Sequence, residues 1–171
     1  LDGTPLAEEL FRAYLKQLLV DGFFHADPHP GNVWLTDDRR IALLDLGMVA
    51  RIPQPLQESL VRLLLALSEG RGGEAAEIAE GMGEIPREGF DRYAFRRRIA
   101  DLVMEHETAS LGRLNMGRVI MQIRVIAADT GIKLSPALNM LGKALMNLDK
   151  IGRTLSPALD PNRAIRKHAS K

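Results

Sequence analysis

The chain has 171 residues, enough for one domain with a buried core. Hydrophobic residues make up 46% of it, and 23 Lys and Arg are nearly balanced by 22 Asp and Glu, which gives no support for a nucleic-acid-binding protein. The absence of cysteine excludes disulfides and thiolate metal sites, and no apolar stretch approaches the roughly 18 residues of a transmembrane helix.

The first predicted element is an amphipathic helix. Thr4 followed by Pro5 is typical of a helix start, with the threonine hydroxyl as the N-cap. The helix is expected to end near residues 21–22, and a loop rich in Pro, His, Asp and Gly follows over 24–32. Its apolar face is predicted from side chains that recur every fourth residue: Leu6, Leu10, Tyr14 and Leu18.

The rest of the chain predicts one small β-hairpin and then helices. Two short apolar runs, 33–35 and 41–44, flank a polar turn and form the predicted hairpin. We therefore expect a mainly α fold with a small β-hairpin, organised as a single domain over 1–171 with a helical remainder at 54–168. The helices predicted from apolar periodicity cover 56–67, 74–82, 91–106, 113–129 and 135–152, with a short last helix starting near 160. Ser135 followed by Pro136 predicts the start of the helix at 135–152, again with a hydroxyl residue as the N-cap.

The residues that carry chemistry lie at 25–32, which reads H-A-D-P-H-P-G-N, and at 45–47, which reads D-L-G. Protein kinases use a catalytic loop of the form H-x-D-x-x-x-x-N followed by a D-x-G. Four residues separate Asp27 from Asn32, as that loop requires. The predicted hairpin between Asn32 and Asp45 would fold the chain back, so that both side chains face one site.

Phosphoryl transfer explains these residue types, because it needs positioned Mg²⁺ and an oriented nucleophile. Mg²⁺ prefers hard oxygen ligands. We expect the amide oxygen of Asn32 and the carboxylate of Asp45 to bind Mg²⁺ with ATP, and Asp27 to accept or orient the attacking hydroxyl. Gly47 would allow a tight turn behind Asp45. His25, the other residue assigned to the catalytic loop, is expected to brace the loop by hydrogen bonding.

A hydrolytic metal site is an alternative interpretation of the same loop. His25, Asp27 and His29 alternate, and in an extended strand they would share one face. Pro28 and Pro30 argue against it, because proline interrupts a strand ladder.

At these motifs the sequence resembles the UbiB family, atypical kinase-like proteins linked to ubiquinone and prenyl-lipid metabolism. The resemblance is close over 22–32 and 43–48 and less specific over 155–161. It implies the C-terminal, large lobe of a protein-kinase-like fold. It also implies that Asn32 and Asp45 bind Mg²⁺ and that Asp27 is the catalytic-loop carboxylate.

The family's Ala-rich lid and K-x-G-Q motif have no counterpart before Thr4. We therefore expect a cytoplasmic fragment of a longer parent, which is itself associated with the inner membrane. The missing N-terminal lobe would be its partner. Without that lobe, we expect weak ATP binding, no turnover, and self-association through an uncovered apolar surface.

Two other functional classes remain open. Aminoglycoside and choline kinases share the H-x-D-x-x-x-x-N loop, although residues 46–48 favour the UbiB resemblance. The second class is a non-catalytic helical scaffold that binds a protein or lipid partner. The intact Asp27, Asn32 and Asp45 favour an enzyme over such a scaffold. A basic cluster at 92–98 is interpreted as a solvated helix face, with contact to anionic lipid headgroups or a membrane surface as the alternative.

Overall fold

The computed structural model describes residues 2–45, 47–109, 115–158 and 160. These parts are mainly helical, with small antiparallel two-stranded sheets. The helices are α1 (Thr4–Lys16), α2 (Gln54–Ser68), α3 (Gly72–Gly81), α4 (Arg92–Ala109), α5 (Met116–Thr130) and α6 (Pro136–Leu155). The strands are β1 (Phe23–His25), β2 (Val33–Leu35), β3 (Ile41–Leu43), β4 (Val49–Arg51), β5 (Gly83–Glu84) and β6 (Lys133–Leu134).

The mainly helical class and the predicted hairpin are confirmed, since β2 pairs with β3 in antiparallel register. The expectation of a single hairpin was incomplete, because β1 also pairs with β4 and β5 with β6. Strands of two or three residues are too short to show an alternating pattern, so these pairings depend on tertiary contacts. Residue 160, near which the last helix was expected to start, is described and is not helical, and residues 161–168 of that prediction lie outside the described residues.

Helix α1 carries the predicted apolar face into the core. Leu10, Tyr14 and Leu18 are buried, and α1 packs against α6. The helix continues as a wider π-helical turn over Gln17–Asp21 and ends at Gly22, whose φ of 61° lies in the left-handed region that glycine adopts without strain. This end point is where the sequence predicted it.

The predicted N-cap role of Thr4 was wrong. Gly3 occupies the N-cap position of α1, and Thr4 is already helical. The Thr4 hydroxyl instead lies 2.8 Å from the Ser156 hydroxyl at the end of α6, so a tertiary hydrogen bond replaces the local cap. The matching prediction for α6 is confirmed, because the Ser135 side chain accepts a hydrogen bond from the backbone N–H of Ala137.

Helices α5 and α6 approach each other closely through glycine. A Cβ at Gly117 would lie 2.5 Å from the backbone nitrogen of Met146, a distance that no side chain can occupy. This contact fixes the position of α6, which also packs on α1. Asn147 of α6 reaches the loop after β1. None of the helices in the described ranges combines the length and apolar character needed to cross a bilayer.

Candidate active site

Two nested hairpins assemble the candidate site. The outer hairpin pairs β1 with β4, with His25 opposite Val49, and the inner one pairs β2 with β3, with Val33 opposite Leu43. The segments that connect outer to inner strands, 26–32 and the described residues of 44–48, therefore run side by side. Hydrogen bonds join them at both ends: Ala26 N–H donates to the Met48 carbonyl at 2.9 Å, and Leu44 N–H donates to the Asn32 carbonyl at 2.8 Å.

Hydrogen bonds fix the backbone of Asp27 through both its N–H and its carbonyl. Its N–H donates to Nδ1 of His25 at 3.1 Å. Its carbonyl accepts from the His29 N–H at 2.9 Å and from the Nδ2 amide of Asn32 at 3.2 Å. The loop therefore closes on itself around Asp27 through contacts in which the Asp27 carboxylate takes no part.

His25 ties this loop to the segment that precedes Asp45. The ring is 2% exposed, and its Nε2 lies 3.3 Å from the Leu44 carbonyl oxygen. Because Nδ1 accepts a hydrogen bond, the proton of the neutral ring resides on Nε2, which donates to that carbonyl. Both nitrogens are engaged, so His25 positions other residues, and a direct part in catalysis stays a prediction.

The chemistry of Asn32 and Asp45 fits a hard divalent cation. The amide nitrogen of Asn32 is committed to the Asp27 carbonyl, which leaves the side-chain oxygen as the atom available to a ligand. One carboxylate oxygen of Asp45 accepts the Gly47 N–H at 3.1 Å, and Asp45 is exposed. An amide oxygen and a carboxylate oxygen are donors that Mg²⁺ accepts, with water and phosphate completing its shell.

The turn at 45–47 differs in detail from the sequence expectation. The left-handed residue is Asp45, with φ of 54°, whereas the positive-φ glycines do not include Gly47. A Cβ at Gly47 would lie 2.9 Å from Oδ1 of Asp45. A side chain at position 47 would therefore require the Asp45 carboxylate to move, and the unusual backbone conformation falls on the proposed metal ligand itself.

Side chains from α6 and from the loop itself lie near the Asp27 carboxylate. Nδ2 of Asn147, on α6, lies 3.3 Å from Oδ1, and Nε2 of His29 lies 4.0 Å from Oδ2. The Tyr14 hydroxyl is buried and has no hydrogen-bond partner within the described part of the chain. Burial and the negative charge of Asp27 raise the pKa of Tyr14, so this phenol stays protonated.

The alternative hydrolytic site is not supported by the described residues. Among them, no group of three or more His, Cys, Asp or Glu side chains is arranged to hold a metal ion. Nδ1 of His25 accepts from a backbone N–H and Nε2 faces a carbonyl, so neither nitrogen is free to coordinate.

Acidic side chains engage the basic cluster at 92–98. Glu80, which is buried, accepts from Arg92 at 2.7 Å and from Arg96 at 2.6 Å. Burial alone would raise the pKa of Glu80, but the hydrogen bonds and charges of the two arginines outweigh it and lower that pKa. Arg97 pairs with Asp101 and Arg98 with Asp129. These contacts account for the cluster without a ligand, and binding to lipid headgroups stays a prediction.

The structure thus brings together the segments that hold Asp27, Asn32, Asp45 and Gly47. Sequence reasoning missed Asn147 and Tyr14. Both lie on helices far from the loop in sequence, and no local spacing links them to it. The one available signal was a polar residue at 147 between the buried Leu145 and Leu148.

Two family models match the chain in succession. The model of the ABC1 atypical kinase-like domain matches residues 1–79, and the model of the UbiB helical domain matches residues 99–160. The first covers the nested hairpins, and the second covers α5, α6 and most of α4. The boundary between them lies within the helical part of the fold.

Curated relatives also match most of this chain. The chain is 35% identical to the uncharacterized protein slr0889 of Synechocystis over 146 residues. The aligned region covers 84% of this chain and 35% of that protein. It is 30% identical over 167 residues to the probable protein kinase UbiB of Xylella fastidiosa strain M12, and 29% identical over 167 residues to that of Xanthomonas oryzae pv. oryzae. Each of these UbiB matches covers 94% of this chain and 30% of the relative. The chain thus spans about a third of the length of the curated relatives it matches.

Proposed function

The chain belongs to the UbiB family of ABC1 atypical kinase-like proteins, and from that premise we propose that it supplies the Mg²⁺-phosphate half of an ATP-dependent active site. In the full-length protein this site would act as a phosphotransferase or an ATPase, linked to ubiquinone or prenyl-lipid metabolism. The chain would correspond to the large lobe of a kinase-like fold. The observation that carries the proposal is the pair of nested hairpins, which sets 26–32 against 44–48.

Each of the site residues has a separate role in this proposal. Asn32 and Asp45 would hold Mg²⁺, which when bound neutralises charge on the ATP phosphates. The carboxylate of Asp27 would orient the acceptor hydroxyl, or a water, and take its proton. The acceptor oxygen then forms a bond to the γ-phosphorus while the bond from that phosphorus to the bridging oxygen breaks, and ADP leaves with the electron pair.

The test is Mg²⁺-dependent ATP consumption and phosphoryl transfer by the full-length protein and by three variants: Asp27→Asn, Asn32→Ala and Asp45→Asn. We expect Asp27→Asn to lower kcat at least a hundredfold with little change in ATP affinity. The other two variants should weaken Mg²⁺-dependent ATP binding. A full-length protein whose ATP binding and turnover are unaffected by all three substitutions would overturn the proposal.

The 171-residue chain provides a second test. Because a nucleotide-covering lobe would be absent from it, we expect only weak ATP binding by calorimetry in the presence of Mg²⁺, and no turnover. Micromolar affinity in this chain would contradict that expectation.

We propose that an N-terminal lobe of the parent protein covers the exposed apolar side chains of the nested hairpins. Trp34, Leu35 and Met48 of the nested hairpins are exposed by 60%, 53% and 55%. We expect the chain alone to self-associate through these side chains, as measured by size exclusion with light scattering. Leu35→Ser with Met48→Ser should reduce the association, and Tyr93→Ser, an exposed aromatic on α4, is the matched control. A clean monomer at high concentration would contradict this.

A further inference from the structure

Asn147 reaches the candidate site from the far end of the chain. It lies on α6, within the region matched by the helical-domain model, and Asp27 lies within the region matched by the kinase-like model. Nδ2 of Asn147 is 3.3 Å from Oδ1 of Asp27, across 120 positions of sequence. Because a carboxylate offers only acceptors, the amide nitrogen must be the atom that faces it and donates.

The helix that carries Asn147 is held rigidly. Leu145 and Leu148 on either side are buried, and the close approach of Gly117 to the backbone of Met146 fixes this turn against α5. A donor on such a support limits rotation of the Asp27 side chain, in addition to the hydrogen bonds that fix its backbone. With Oδ1 occupied, Oδ2 is the carboxylate oxygen left to meet a substrate hydroxyl.

We infer that Asn147 is a positioning residue, which holds the Asp27 carboxylate through Oδ1 so that Oδ2 is presented to the acceptor. The inference rests on the proposed function, because it assigns Asp27 the acceptor's proton. It also gives the helical domain a direct part in the kinase-like site.

The contact itself is tested without activity, through the melting temperature of the chain. Asn147→Asp keeps the shape but places a second carboxylate against Asp27, and we expect a lower Tm. Combining it with Asp27→Asn reverses the pair and restores a donor and an acceptor, so the double variant should recover at least half of the lost Tm. Gln122→Glu makes the same chemical change at an exposed position of α5 and should leave Tm nearly unchanged. Additive effects of the two substitutions would overturn the contact.

The positioning role is tested by kinetics of the full-length protein. Asn147→Leu and Asn147→Asp should lower kcat at least tenfold while KM for MgATP stays within twofold, because Asn147 contacts neither Asn32 nor Asp45 through any described hydrogen bond. Gln122→Glu should match the wild type. An unchanged kcat in an active protein would overturn the inference and leave the proposed function standing. A wild-type protein without turnover would overturn the proposed function and the positioning role together, while the Tm coupling would still decide whether the contact exists.

Discussion

Nε2 of His25 lies 3.3 Å from the carbonyl oxygen of Leu44, and this contact joins the catalytic-type loop to the segment that leads into Asp45. The other ring nitrogen accepts the N–H of Asp27. One buried imidazole therefore sets the spacing between the proposed proton acceptor and one of the proposed metal ligands.

Replacing His25 should destabilise the fold as well as the site. His25→Ala leaves the Asp27 N–H and the Leu44 carbonyl without their partner and opens a cavity, so we expect a loss of about 2–4 kcal/mol in the free energy of unfolding. Urea denaturation at neutral pH measures it. His29→Ala is the matched control, since that ring is half exposed and should cost about 1 kcal/mol or less. Equal losses in both variants would show that the bridging role is wrong.

Two substitutions at Asp45 separate backbone strain from charge. Asn tolerates the left-handed conformation at least as well as Asp, so Asp45→Asn should keep the unfolding free energy within about 0.5 kcal/mol of the wild type. Asp45→Ala places an ordinary side chain at φ of 54° and should cost about 1 kcal/mol. Both should weaken Mg²⁺-dependent nucleotide binding. If Asp45→Asn binds MgATP like the wild type, Asp45 is not a metal ligand.

Gly47 should be sensitive to a single methyl group. In Gly47→Ala the new Cβ would lie 2.9 Å from Oδ1 of Asp45, so the carboxylate must move and Mg²⁺-dependent nucleotide affinity should fall. Gly73→Ala on α3 is the matched control, because nothing lies within 4 Å of a Cβ there. The control should leave nucleotide affinity unchanged and raise stability by about 0.5–1 kcal/mol. Equal affinity in both variants would contradict the close contact.

Glu80 should make the free energy of unfolding depend on pH in the acid range. Its pKa in the folded state is lowered from 4.5, so its contribution is complete above about pH 4.5 and is lost as the pH falls through the lower folded-state value. Glu80→Gln should therefore cost about 1–2 kcal/mol at pH 7, allowing for the exposure of both arginines, and progressively less towards pH 3.

Unfolding free energies of the two proteins between pH 3 and pH 7 provide the measurement for Glu80. Glu84→Gln, at an exposed glutamate on β5, should show no such pH-dependent difference. A Glu80→Gln deficit that stays constant across this range would show that the ion pairs with Arg92 and Arg96 do not stabilise the fold.

The sequence predicted the elements that depend on local chemistry. Ser135 followed by Pro136 marked the start of α6, and Gly22 marked the end of the first helix, because caps and left-handed turns depend on neighbouring residues. The H-x-D-x-x-x-x-N spacing likewise indicated that Asp27 and Asn32 share one loop, in which the Asn32 amide donates to the Asp27 carbonyl, while their roles stay a prediction.

The sequence patterns did not indicate the contacts between segments that are distant in sequence. The strands β1 and β4 have three residues each and are separated in sequence by the inner hairpin, so no local pattern indicates that they pair. Thr4 was expected to cap its own helix but bonds Ser156 instead. The approach of Asn147 to Asp27 depends on how α6 packs against α1, which helical periodicity does not specify.

The most direct test of the proposed metal site is paramagnetic broadening of assigned amide resonances in this chain by Mn²⁺ with ATP, since Mn²⁺ takes the same oxygen ligands as Mg²⁺. The method detects weak binding, as expected for the chain alone. We predict broadening centred on residues 27–32 and 45–47, relieved by excess Mg²⁺ and lost in Asp45→Asn. Broadening centred elsewhere, or unchanged in Asp45→Asn, would contradict a site built by Asn32 and Asp45.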